Sequence, residues 1–333
     1  MRQGALPYNH PPFKTLIFIP LTFLPYNYTL AAWSAVNLAL LLVVGKILHR
    51  RFSVLHGIAG WQWLAMELAF YPVFISLMQG QDSILLLCWY VFAFECLERK
   101  ADFSAGCCLG LGMFRFPLVL PMILILLFWN RWRLVNGAVL VSLGLSLLSA
   151  WVVGFSGLLR YARYVWHLEK TTGGGTILPG LMSNVRGLMA SLLGGLVTPQ
   201  TLLILTLIGS AFLLWMAFPA GFARTAFGLK FALAIVVTVL VSYHSYSYDW
   251  CLLILPLVIV ADHCVRFRSG PLRNQFLPIL PALPLLISPL FFLLWLRWHN
   301  LSWLAIPLLV WLWAIRREIF RSGGLEETHA PQT

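Results

Sequence analysis

Apolar runs recur along the whole chain, and nothing else in the sequence constrains its fold as strongly. They fall at Leu30–Leu48, Ala59–Met78, Ile84–Leu97, Val135–Gly154, Thr201–Phe218, Ala226–Val241, Trp250–Ala261, Phe276–Leu296 and Leu301–Ile315. A segment in hydrocarbon must satisfy its backbone polar groups internally, so such runs cross a membrane as α-helices. Composition agrees: 60% of the 333 residues are hydrophobic and 10% charged, with 15 Trp and 23 Phe, a balance foreign to soluble domains. The expected fold is an all-α polytopic membrane protein, a bundle of about nine membrane helices. Residues 1–321 read as a single integral-membrane domain and 322–333 as a short polar cytoplasmic tail.

One stretch breaks the pattern. Ala105–Met113 and Phe116–Trp129 are each too short to span comfortably and meet at Phe114-Arg115-Phe116-Pro117. They read as a pair of short half-helices turning inside the protein, where broken backbone is tolerated only if buried or lining a cavity. Lys14–Tyr26, carrying Pro20 and Pro25, reads as an interfacial segment. The six cysteines lie in or at the ends of apolar runs without a Cys-x-x-Cys pair, and read as small core hydrophobes. Met1–Pro12 is polar and proline-rich, unlike the basic start and apolar core of a cleavable signal peptide.

The net charge of +12 comes from 23 Lys and Arg against 11 Asp and Glu. Its distribution sets an orientation and gives no sign of a nucleic-acid partner. With Leu30–Leu48 running inward, basic clusters collect at inner helix ends, at Lys46/Arg50/Arg51, Arg99/Lys100, Arg131/Arg133, Arg266/Arg268 and Arg316/Arg317/Arg321. The positive-inside rule favours this arrangement, in the plasma (inner) membrane with a cytoplasmic C-terminus. Every unusual polar stretch then falls on the outer, extracytoplasmic face: Pro7–Pro12, Gln79–Asp82, the Arg115 turn, the long Phe155–Gln200 loop and Ser242–Asp249.

Ser242–Asp249 reads Ser-Tyr-His-Ser-Tyr-Ser-Tyr-Asp between two apolar runs. Ionisable groups are costly near hydrocarbon, so a role there is the default expectation. His244 suits acid/base work or phosphate contact and Asp249 a base or hydroxyl acceptor, whereas the tyrosines alone would serve as an interfacial belt. Arg115 is a permanent cation whose planar donors match phosphate oxygens; the plainer reading is snorkelling to water. Gln79-Gly80-Gln81-Asp82 sets two amides and a carboxylate around a glycine, suited to a hydroxyl-rich ligand or to nothing more than a turn. The Phe155–Gln200 loop far exceeds an ordinary connection. It holds a flexible Gly173-Gly174-Gly175 and then Val185, Leu188, Met189 and Leu192 on one stripe, as in a helix lying on the membrane surface, or in a mere connector. Glu67, mid-helix, is expected to face a polar interior, with Tyr71 one turn on as a partner or with a catalytic role of its own. There is no metal signature and no phosphate-gripping glycine loop, so no cofactor is expected.

Four stretches resemble glycosyltransferase family 87, the multi-pass GT-C enzymes similar to bacterial polyprenyl-phosphate-mannose-dependent α-mannosyltransferases. Tyr8-Asn9-His10-Pro11-Pro12-Phe13, then Pro20-Leu21, Leu24-Pro25 and Trp33, resembles the family's Tyr-x-Pro-Pro stretch, proline-leucine segment and second membrane helix. Gln79-Gly80-Gln81, Ala105-Gly106, Leu109-Gly110-Leu111, Arg115-Phe116-Pro117 and Asn130-Arg131-Trp132-Arg133 follow its central block in order and spacing. Ser183-Asn184 with Arg186-Gly187-Leu188 resembles its outer-loop helix, and Ser242-x-His244 with Tyr248-Asp249 its late outer motif. The resemblance implies a GT-C-like bundle with the half-helix pair and an outer amphipathic loop. It implies hexosyl (mannosyl) transfer from a polyprenyl-phosphate sugar donor to a glycan or glycolipid acceptor beside membrane lipid, with no metal required. Arg115 and His244 would then handle the phosphate, and Gln79, Gln81, Asp82 and Asp249 the sugar or acceptor. Tyr8 and His10 would join the donor site, and Asn184 and Arg186 would belong to the outer loop.

Two departures from the family pattern accompany the match. The family's lysine at the half-helix turn is Arg115 here, and its first membrane helix and aspartate-bearing outer loop have no counterpart, since residues 1–28 contain no Asp or Glu. Asp249, Asp82 or Glu169 is then expected to stand in for the base, or the chain to be an inactive truncated relative. A transporter or flippase of lipid-linked sugars would also use broken helices and buried charges. It would show internal repeats and polar groups on both faces, and neither is evident in the sequence.

Overall fold

The computed structural model describes residues 10–170, 178–223, 227–267 and 276–328. Among the described residues the protein is helical throughout, and the only strand-like pairing is one antiparallel bridge between Met182 and Tyr246. By length and composition alone, five helical stretches among the described residues qualify as membrane crossings, Asp102–Phe128 included, or up to six if a bent pair counts as one. None of the six cysteines, all among the described residues, forms a disulfide.

The chain opens with α1 (Pro12–Phe18), which a 3-10 turn (Ile19–Phe23) joins to the long α2 (Tyr26–Arg51). The second apolar run is two helices, α3 (Gly60–Ala69) and α4 (Tyr71–Met78), broken at Phe70. Pro72 explains the break, because proline lacks an N–H and its ring clashes with the preceding turn. The break frees the Ala69 carbonyl and the Tyr71 amide, and one side chain takes both. Ser288 Oγ accepts from Tyr71 N at 3.1 Å and donates to Ala69 O at 2.5 Å. Ser288 itself begins a helix after a break: the expected Phe276–Leu296 span bends by 66° between Leu280–Leu286 and Ser288–Trp298.

Helix α5 (Ser83–Glu98) returns to the basic end, and α6 (Asp102–Leu111), a 3-10 turn (Gly112–Arg115) and α7 (Phe116–Phe128) follow. By length and hydropathy, Asp102–Phe128 qualifies as one 27-residue span, about 40 Å if straight. The contacts exclude that. Arg131, just past α7, lies 3.2 Å from Asp102 at the start of α6, so the segment folds back on itself with Arg115 at its tip. The half-helix reading therefore holds. Small residues let α6 lie directly on α8 (Trp132–Lys170): a Cβ on Gly106 would sit 1.9 Å from the Leu134 carbonyl oxygen, and one on Gly137 2.2 Å from that of Phe103.

The long loop expected from Phe155 is largely helical. Helix α8 bends at Gly154 (φ 72°) and continues to Lys170, and α9 (Val185–Leu193) and α10 (Pro199–Ala217) follow. The surface-helix expectation for α9 fails at its N-terminal half, where Val185 and Leu188 are buried in the core and only Leu192 of the stripe is exposed. Helix α11 (Phe227–Val241) is buried all round and forms the centre of the bundle, as its continuous apolar sequence dictates. After the Ser242–Tyr246 stretch, a 3-10 segment (Ser247–Leu253) leads into α12 (Ile254–Phe267). The chain ends with α13 (Leu283–Leu286), α14 (Ser288–Trp298) and α15 (Ala305–Thr328), so helix extends past residue 321 into the expected tail.

Candidate active site

The site forms at the end of the bundle opposite the basic clusters, where four separate segments bring charges together. Its base is the α4–α5 turn. Helix α4 closes with Gly80 in the left-handed region (φ 62°), Gln81 N donating to Ser76 O at 2.8 Å and Gly80 N to Leu77 O at 3.2 Å. This double bond across a glycine is a standard helix stop. It delivers Gln81 and Asp82 to the start of α5 and leaves the Gln79 side chain exposed outside the cluster. Trp33 Nε1 donates to Gln81 O at 3.2 Å and fixes the turn against α2.

Arg115 reaches this turn from the tip of the α6–α7 hairpin. Its Nε donates to Asp82 Oδ1 at 2.6 Å and its Nη2 to Gln81 Oε1 at 2.7 Å, while Nη1 lies 3.5 Å from Asp249 Oδ1. The Tyr248 ring lies 5.2 Å beneath the guanidinium. Asp249 is fully buried with both oxygens engaged, accepting from Ser83 Oγ at 2.9 Å and from Tyr246 N at 3.0 Å. It stands behind Arg115 and orients it.

Sequence reasoning missed the second cation. Lys14, from α1, is 4% exposed and forms an ion pair with Asp82, with the Phe18 and Phe114 rings 5.8 and 5.9 Å from its Nζ. Helix α1 is anchored by Phe13 N donating to Ser149 Oγ at 3.1 Å, so Lys14 is carried into the interior and does not lie along the interface. The signal was in the sequence: a lone lysine one helical turn after His10, inside a proline-flanked apolar stretch.

Electrostatics follow from two cations around one carboxylate. Burial by itself pushes the Asp82 carboxyl up, but Arg115 and Lys14 together overcome it and hold it down at about 2. Lys14 shares its carboxylate with Arg115, so burial dominates and brings its ammonium down to about 8 despite Asp82. Burial, then Lys14 and Arg115, bring the half-buried His10 down to about 4, which leaves it a neutral imidazole at pH 7.

The late motif is braced by the segment around α9. Asn184 caps α9 by accepting from Gly187 N at 2.8 Å and donates Nδ2 to Ser242 O at 2.7 Å. Arg186, 8% exposed, donates to Tyr243 O at 3.2 Å and stacks 3.8 Å from the Tyr243 ring. Together with the Met182–Tyr246 bridge, these contacts hold Ser242–Tyr246 and so aim Tyr248 and Asp249 at Arg115. His244 is half-buried, edge-on to Tyr243 at 5.2 Å. Glu67 lies elsewhere: 2% exposed, it lines a cavity of about 440 Å³ with Lys46, His49, Arg50 and Trp63, and neither oxygen makes a hydrogen bond among the described residues. Tyr71 is not its partner. Tyr8 and Gly173–Gly175 lie outside the described residues, as does the Glu169 side chain. No cluster of His, Cys, Asp and Glu fit for a metal occurs among the described residues.

The family model for glycosyltransferase family 87 matches residues 8–242, a span holding Lys14, Asp82, Arg115 and the α9 brace. No curated protein and no solved structure matches the chain.

Proposed function

The chain belongs to glycosyltransferase family 87, and on that premise we propose that it moves a hexose, mannose foremost, from a polyprenyl-phosphate donor to a glycan or glycolipid acceptor on the extracytoplasmic face. The observation that carries the reading is the pair of buried cations, Lys14 and Arg115, converging on Asp82 beside the Gln81 amide. A lipid phosphate in this site takes Arg115 bidentately and Lys14 as a point charge. The Gln81 amide, with the neutral His10 imidazole nearby, offers hydrogen bonds to sugar hydroxyls. His244, at the rim held by Arg186 and Asn184, adds a further contact for the phosphate.

The chemistry is a displacement at the anomeric carbon. The bond from that carbon to the phosphate oxygen breaks, a bond to the acceptor oxygen forms, and polyprenyl phosphate leaves with the electron pair. A carboxylate takes the acceptor hydroxyl proton. Asp82 is better suited than Asp249: an arriving phosphate competes for Lys14 and Arg115 and frees Asp82, while both Asp249 oxygens stay bound to Ser83 and Tyr246.

The test is sugar transfer by the purified full chain in membranes, offered a polyprenyl-phosphate mannose and a nucleotide-linked mannose. Transfer from the lipid donor, lost on Arg115→Ala and His244→Ala with the protein still folded, supports the proposal. Transfer from the nucleotide donor alone overturns it. Movement of the intact lipid-linked sugar across the membrane without transfer would support instead the transporter or flippase reading, whose structural observation is the broken helices at Phe70 and Ile287.

A further inference from the structure

At the basic end of the bundle, far from Asp82, a cleft of about 460 Å³ opens between the end of α10 and α15, lined by Pro219, Trp313, Arg316, Arg317 and Phe320. We propose that this cleft binds the phosphate of an anionic phospholipid in the leaflet at that end. Arg316 is held by a hydrogen bond, and the exposed Arg317 lies over an aromatic ring. Arg316 Nε donates to Met216 O at 3.2 Å, at the last turn of α10, and its guanidinium lies 5.1 Å from the Phe320 ring. Arg317 lies 5.5 Å from the Trp313 ring. Neither has a carboxylate partner among the described residues, and the adjacent Glu318 turns to the other side of the helix, 3.3 Å from His263 Nε2. Two neighbouring guanidiniums without a carboxylate partner among the described residues, their remaining N–H groups open to the cleft, make an anion site, and their planar donors match phosphate oxygens.

The walls say which anion. Trp313 and Phe320 are exposed, as are Phe218 and Phe222 at the end of α10, so the cleft opens onto an apolar belt. An aromatic belt beside basic residues is the composition of a helix end at headgroup depth. A free phosphate gains nothing from such walls, whereas a phospholipid lays its acyl chains along them. A basic pocket between helices is also the form that anionic headgroup sites take. The site is separate from the proposed donor site and does not depend on the sugar chemistry.

The test is native mass spectrometry of the full chain in detergent, titrated with phosphatidylglycerol, phosphatidylcholine or inorganic phosphate. Phosphatidylglycerol is expected to bind saturably and to raise the melting temperature, and phosphatidylcholine to do neither. Arg316→Gln/Arg317→Gln should weaken phosphatidylglycerol binding about tenfold or more, from roughly 1 kcal/mol per basic residue. Arg317→Gln alone leaves the Met216 contact intact and should show a several-fold loss, which keeps the test decisive if the double variant does not fold. Equal binding of the two lipids, wild-type affinity in Arg317→Gln, or full competition by millimolar inorganic phosphate would each overturn the proposal.

Discussion

Replacing Asp82 with Asn keeps the shape of the side chain and removes the one charge that two buried cations share. Arg115 retains Asp249 at 3.5 Å, but Lys14 has no other ion pair among the described residues and its side chain is 5% exposed. Removing one partner of a buried pair costs about 3–5 kcal/mol, because the survivor loses its counter-charge while staying desolvated. Since Arg115 keeps a carboxylate, the lower end, about 3 kcal/mol, is expected. At roughly 2–4 °C per kcal/mol for large domains, the melting temperature of the detergent-solubilised chain should fall by about 6–12 °C. Lys14→Met removes the orphaned ammonium, so Asp82→Asn/Lys14→Met should be more stable than Asp82→Asn alone, with a coupling of about 1–3 kcal/mol. The acid limb adds a check. A carboxyl held at about 2 contributes stability above its usual range and loses it only as pH falls through about 2, so the coupling should persist at pH 4. An Asp82→Asn melting curve that overlays the wild type, or strictly additive single variants, would refute the charge balance described for this site.

Four further outcomes follow from the geometry. If the Lys14 ammonium holds the donor phosphate, transfer should decline above pH 8, and Lys14→Arg, which stays charged, should extend activity to higher pH. Stability should move the other way: the folded ammonium is depressed, so the fold gains as pH rises from about 8 towards the unperturbed lysine value of roughly 10.4, and a falling melting temperature there would contradict this. Ser288→Ala bares both Ala69 O and Tyr71 N, and should cost about 2–4 kcal/mol from two unsatisfied backbone groups, read as a lower melting temperature and faster amide exchange at Tyr71. Gly106→Ala places a methyl 1.9 Å from a backbone oxygen, so α6 and α8 must separate; a loss of about 3 kcal/mol or more is expected, and a wild-type melting curve would show the contact to be softer than drawn.

Much of the fold could be read from hydropathy, because long apolar runs leave the backbone one solution. The α6–α7 hairpin was visible for the same reason: two runs too short to cross, with Arg115-Phe116-Pro117 between them. The breaks at Phe70 and Ile287 were not seen, although Pro72 and Pro289 mark them, since hydropathy is blind to where a backbone bond is missing. Within the site, Arg115, Gln81, Asp82 and Asp249 all meet, as their polarity among apolar runs suggested. Gln79 does not, because the direction of Gly80 turns it outward, and direction is a three-dimensional property. Lys14 was hidden by a charge count that treats every lysine near a helix end as a topology signal. Asn184 and Arg186 were read only as members of the loop after Phe155, and their bracing of the Tyr243 segment could not be seen because it is set by partners 58 and 57 residues away.

Ser288 also sets a clock. Its hydroxyl closes a gap in helices made 217 residues earlier, and at roughly 5–20 residues per second a ribosome needs about 10–45 s to supply it. During that interval the break between α3 and α4 has no native partner for its carbonyl and amide, and the nascent chain must keep them near water, against the translocon, or under a chaperone. The last third of the protein is thus the part that lets the first third settle in the membrane, and a chain cut short before Ser288 should be cleared by quality control even with every residue around Asp82 intact.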